Sequence, residues 1–142
     1  MRSSDFLTAV GIGVADIARS EAFYRDVLGM TRTGEFKLDY MDEVMLAHEG
    51  RSAVVLMHYT DGSVRNYRDN PVKLVFYVTD PAAIAAKIRA DGLEVTREPA
   101  PIESLGGSVV CLAKDPDGYV IELIQRAASG AGATTETRAE VG

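Results

Sequence analysis

A chain of 142 residues, 46% apolar and 25% charged, matches one soluble domain or two small fused modules. Its formal net charge of −6 argues against a nucleic-acid partner, which would need a basic stripe. One cysteine, Cys111 in the run VVCLA, rules out an internal disulfide, and no apolar run reaches the ~18 residues a membrane span requires.

From the N-terminus, FLTAVGIGV superficially suggests a leader. Asp5 and Asp16 flanking an alternating run favour a strand in a cytoplasmic protein. In TAVGIGVAD (residues 8–16) one face carries Val10, Ile12 and Val14, and the other Ala9, Gly11 and Gly13. A helix follows in IARSEAFYRDVLG, capped by Asp16 or Ser20, with Phe23, Val27 and Tyr24 on one face and Gly29 as the stop. Strands are expected at 31–37, 43–48 and 53–59. Residues 60–71, TDGSVRNYRDNP, are polar and turn-rich and read as a linker.

The pattern then repeats. VKLVFYVTD (residues 72–80) aligns with TAVGIGVAD at an offset of 64, which puts Lys73, Val75 and Tyr77 where the first copy has Ala9, Gly11 and Gly13. Asp80 is a good N-cap, Pro81 suits the first helical position, and Gly92 stops the helix. Strands are expected at 94–98, 108–113 and 119–125, the last two joined by a turn at Asp115–Gly118. The remainder, from about Ala128 to residue 142, lacks large apolar periodicity and reads as a disordered tail. The fold class is α+β, two tandem βαβββ modules. The domain would span residues 1–127, with modules at about 6–59 and 72–126 joined by the linker 60–71.

The last strand, in DGYVIELIQR, places Glu122 among aliphatic residues, and a carboxylate on a half-buried face is costly unless something uses it. Aligning VVLMH (54–58) with VIELI (120–124) makes Leu56 the counterpart of Glu122, as Ala9 is of Lys73. Duplication would put all four on the faces turned away from the helices. One helix cannot cover both faces of a sheet, so these faces must meet another sheet or enclose a ligand.

VGIGVADIARSEAFYRDVLGM resembles the opening of the vicinal oxygen chelate superfamily, which includes glyoxalase I, bleomycin-resistance proteins and extradiol dioxygenases. VTDPAAIAAKIRADGLEVTREPAPI and DPDGYVIELI are similar to bacterial glyoxalase I, and the resemblance covers about residues 6–126. It implies a curved mixed sheet around a cup with the helices outside, a metal held by two His and two Glu, and a homodimer sharing the cup. Carried over, the His positions hold Ala9 and Lys73, the first Glu position holds Leu56, and only Glu122 matches. Alanine and leucine donate nothing and an ammonium repels a cation, so no metal and no other cofactor is expected.

Three functions follow from the resemblance. The first is a metal-independent lyase or isomerase acting on a small carbonyl or aromatic compound. Glu122 would move the proton, Lys73 would stabilise charge, and Tyr77, His58, Leu56 and Ala9 would line the ligand. The second is a non-catalytic module that sequesters a drug-like molecule. The third is a metal-dependent lactoylglutathione lyase with a displaced site. His58, two residues past Leu56 and so about 7 Å along the strand, is the residue that could move the ion. The expected partners are a small molecule and a second copy of the chain.

Overall fold

Residues 4–128 of the computed structural model run βαβββ twice, and they divide between Asn70 and Pro71 into two units. In the first unit, strand β1 (Ala9–Gly13) leads into helix α1 (Ile17–Ala22). Strands β2 (Thr31–Lys37), β3 (Met41–Ala47) and β4 (Ala53–Tyr59) follow. The sheet order is β1-β4-β3-β2, with β1 parallel to β4 and the other pairs antiparallel. In the second unit, β5 (Lys73–Tyr77), α2 (Pro81–Ala90), β6 (Val95–Ile102), β7 (Ser108–Lys114) and β8 (Val120–Gln125) repeat this plan in the order β5-β8-β7-β6. This is the tandem α+β architecture the sequence predicts. The expected tail lies outside the described residues from residue 129 on. No helix among the described residues is long and apolar enough to cross a membrane.

The caps are local chemistry. Asp16, rather than Ser20, caps α1 by accepting from the Arg19 backbone N–H, while Ser20 is fully buried. Asp80 caps α2 through the Ala83 N–H, and Pro81 opens the helix. The predicted first helix does not stay α-helical. After Ala22 it widens into a π-helical turn over Phe23–Val27. That turn lets the sequence neighbours Phe23 and Tyr24 both point inward, their rings edge to face at 5.1 Å.

Each sheet packs one face against its helix. In the first unit Ile12 pairs with Leu56 and Leu56 with Val44, a row that is almost fully buried on the side met by α1. In the second, Phe76, Leu123 and Cys111 form one row and Leu74, Ile121 and Ala113 the next, with Ile88 and Ala85 of α2 also buried. Cys111 is thus a core residue, and burial raises its thiol pKa.

Glu21 fastens α1 to β2. The Arg32 guanidinium donates to both of its oxygens at 2.9 Å, and Arg25 adds a third bond at 3.3 Å. The hydrogen bond from Arg32, above all, holds the Glu21 carboxyl below the usual carboxylate range. A depressed native pKa adds stability above the unfolded-state value and loses it as pH falls through the native one. Glu21→Gln should therefore melt a few degrees lower at neutral pH, with the gap to wild type closing on acidification. Melting curves across the acid range check this; a gap independent of pH would contradict it.

Candidate functional site

The site begins at the turn between β7 and β8. The Asp115 carboxylate accepts from the backbone N–H groups of Asp117 and Tyr119, both at 2.9 Å, and Gly118 supplies the left-handed residue at φ 87°. This turn fixes the register Lys114↔Val120 and Leu112↔Glu122, and the parallel ladder continues it as Val75↔Glu122. Glu122 therefore lies on the face opposite the Leu123 and Ile121 rows, at the centre of the row Val75–Glu122–Leu112. It is 3% exposed.

A buried carboxylate needs a partner, and Lys73 is that partner. Lys73 starts β5 one row along on the same face, and its Nζ lies 2.8 Å from Glu122 Oε1. The lysine side chain is 40% exposed and the glutamate side chain 4%, so the pair is approachable from the ammonium side. The next row in the other direction holds Tyr77, exposed, with the Arg126 guanidinium 4.0 Å above its ring. Tyr77 and Arg126 line a depression of about 360 Å³ together with Val78, Thr79 and Gln125.

The first sheet corrects one correspondence. Ala9 pairs with Ala53 just as Lys73 pairs with Val120, so two residues on, the counterpart of Glu122 is Val55 and not Leu56. Leu56 faces the core with Ile12 and is fully buried, so it is not a lining residue of the open face. His58 shares its parity. It hydrogen-bonds through Nδ1 to the Val14 carbonyl at 2.8 Å and stacks on Tyr67 at 5.3 Å, which makes it a clasp at the strand end. Ala9 is on the open face, as predicted. Next along that face, a Cβ on Gly11 would meet Met57 Sδ at 3.0 Å and one on Gly34 would meet Met45 Cε, so methionines lie over a glycine floor.

The donor set can be tested against a metal. Val55, the counterpart of Glu122, and Ala9, the counterpart of Lys73, offer no ligand, Lys73 offers only an ammonium, and Leu56 offers nothing either. Among the described residues no three of His, Cys, Asp and Glu come together so as to hold an ion. Facing a second copy would add only the same residues. The residues present do not fit a chelated metal.

Comparison with known proteins gives consistent matches. The profile of the Glyoxalase/Bleomycin resistance protein/Dioxygenase superfamily matches residues 7–123. A probable lactoylglutathione lyase of Synechocystis sp. is 35% identical over 128 residues, 84% of this chain and 95% of its own. The lactoylglutathione lyase of Salmonella typhimurium is 35% identical over 125 residues, 84% of this chain and 91% of its own. Among solved structures, glyoxalase I from Zea mays superposes with a TM-score of 0.72 at 27% identity. The match takes in 85% of this chain but only 44% of the maize chain. TnmS3, an antibiotic binding protein from Streptomyces sp. CB03234, superposes at 0.69 with 19% identity over 89% of this chain and all of its own, a likeness of fold alone.

Proposed function

The chain belongs to the Glyoxalase/Bleomycin resistance protein/Dioxygenase superfamily, and from that premise we propose that it is a glyoxalase-like lyase or isomerase that moves a proton without a chelated metal. The ion pair between Lys73 and buried Glu122 supports this reading. It puts a proton acceptor and a cation side by side, at two positions of the face where the resemblance implies a metal. The ligand is a small carbonyl or aromatic compound.

The chemistry is proton abstraction beside a carbonyl. Lys73 engages Oε1 of Glu122, and Oε2 takes the proton from the carbon next to the carbonyl group. The C–H bonding pair moves into the new C=C bond while the carbonyl pair moves onto oxygen. The Lys73 ammonium faces that developing negative charge and stabilises it. Glu122 then returns the proton to a neighbouring atom, so the reaction is an isomerisation with no net change of oxidation state. A lyase outcome follows if the enolate instead expels a leaving group that takes up the proton.

Glu122→Gln keeps the shape and removes the base. Once a substrate is found by screening small carbonyl compounds, the variant should lose about 10²–10⁴-fold in kcat while still binding the substrate. Unchanged turnover would end the base role. Binding of aromatic or drug-like compounds by the wild type, with no turnover of any carbonyl compound, would favour sequestration instead. The apolar, methionine-covered floor around Gly11 and Gly34 is the feature that suits sequestration.

A further inference from the structure

We propose that Arg97 forms an oxyanion-binding subsite at the β6 edge of the sheet face that carries Glu122, and that it takes the carboxylate or phosphate group of a small anionic ligand. The proposal deepens the preceding reading. It rests on this face being where the ligand binds, not on Glu122 acting as a base.

Three observations meet at Arg97. First, its Nε is buried and has no hydrogen-bond partner among the described residues. A buried N–H without an acceptor is costly, and native proteins keep such groups where something else supplies the acceptor. Second, β6 breaks register on both sides of this residue, between Val95 and Arg97 and again between Arg97 and Ala100. Paired irregularities re-aim a side chain, and they are over-represented beside active sites. Third, Arg97 pairs with Leu112, which pairs with Glu122, so the arginine stands at the far end of the Glu122 row.

The surrounding charges favour an anion. Lys73 and Lys114 flank Val120 in the neighbouring row, so the face carries more cations than its one buried carboxylate balances. The nearest acid in sequence, Glu98, is taken by Arg89 of α2, leaving Arg97 without it. This positive face is distinctive on a chain of net charge −6. A guanidinium presents parallel N–H donors in a fixed plane, matched to two oxygens of a carboxylate or phosphate. Lys73 stands on the opposite edge strand, β5, so Glu122 on β8 lies between the two cations, where the reactive carbon of a ligand anchored at Arg97 would sit.

The test uses the ¹⁵N-labelled full chain and follows the arginine Nε–H signals by NMR during separate titrations with inorganic phosphate and sodium acetate at constant ionic strength. The Arg97 signal should shift saturably with at least one probe, and which probe does so assigns the anion class. Arg97→Gln should abolish saturable binding, read from the backbone amides of Leu112 and Glu122. Arg97→Lys, which keeps charge and fold, should weaken it several-fold because the planar fork is lost. Glu122→Gln should tighten it several-fold by removing the adjacent negative charge. No saturable shift with either probe, or wild-type binding by Arg97→Gln, overturns the subsite. Failure of the base role would instead appear as Glu122→Gln retaining full turnover, with anion binding intact.

Discussion

Leu56→Ala should lower the unfolding free energy by about 2–5 kcal/mol, whereas Val55→Ala should cost well under half of that. The two residues are adjacent and similar in size, yet the register sends them to opposite faces. Leu56 is fully buried in the row it shares with Ile12 and Val44, so its truncation leaves a cavity lined by residues held in place by the sheet. Val55 lies on the open face between Gly11 and Met45, is only partly buried, and loses less contact. Denaturant unfolding of both variants measures the contrast. Equal losses, or a larger loss at Val55, would mean the ladder is shifted by one residue and that Leu56 is the counterpart of Glu122 after all.

Lys73→Met should destabilise the protein by about 1–3 kcal/mol, the cost of leaving a buried group without its partner. The lysine head is partly exposed, so water recovers some of the loss and the cost stays below that of breaking a fully buried pair. Adding Glu122→Leu to Lys73→Met removes the stranded carboxylate and should restore most of the stability. The double variant then approaches wild type while each single variant falls short. Such non-additivity is the signature of a pair that acts as one unit. Strict additivity would show that the 2.8 Å contact carries no coupling, and the pair could not then be a preorganised reactive unit.

Much of the architecture was legible because it is written in local chemistry. Strands β2 and β4 run where the alternation put them, Asp80 and Pro81 start α2 as read, and the hairpin turn falls at Asp115–Gly118. Strand β6 was expected to end at Glu98 but runs to Ile102 through Pro99 and Pro101. It is an edge strand, where a missing N–H costs the ladder little. The π-helical turn was hidden because Phe23 and Tyr24 satisfy a helical pattern closely enough that only packing reveals the wider turn.

The site was legible in part for the same reason. Aligning the repeats put Lys73 and Glu122 on one face, the resemblance made both of them ligand positions of the second module, and the structure puts the two in contact. The same alignment erred at Leu56, because alternation says which residues share a face but not which strand neighbours they pair with. In AVVLMHY either parity reads as apolar, so nothing in the chain separated Val55 from Leu56. Nothing in the local sequence VTRE marks Arg97. Its buried nitrogen and the two register breaks around it are properties of pairing and packing, with no local signature. Arg126 over Tyr77 is likewise a contact made by a residue that sequence alone leaves as an ordinary surface cation.

In the proposed function the Lys73–Glu122 pair stands where the family resemblance implies a chelated ion. The most direct test is the divalent metal content of protein purified without chelator, measured by plasma mass spectrometry after exhaustive dialysis, for wild type and Glu122→Gln side by side. The proposed function requires far less than stoichiometric Zn, Ni, Fe or Mn in both, with small-molecule binding unchanged by EDTA. A stoichiometric ion that survives dialysis in the wild type and is lost in Glu122→Gln would contradict it.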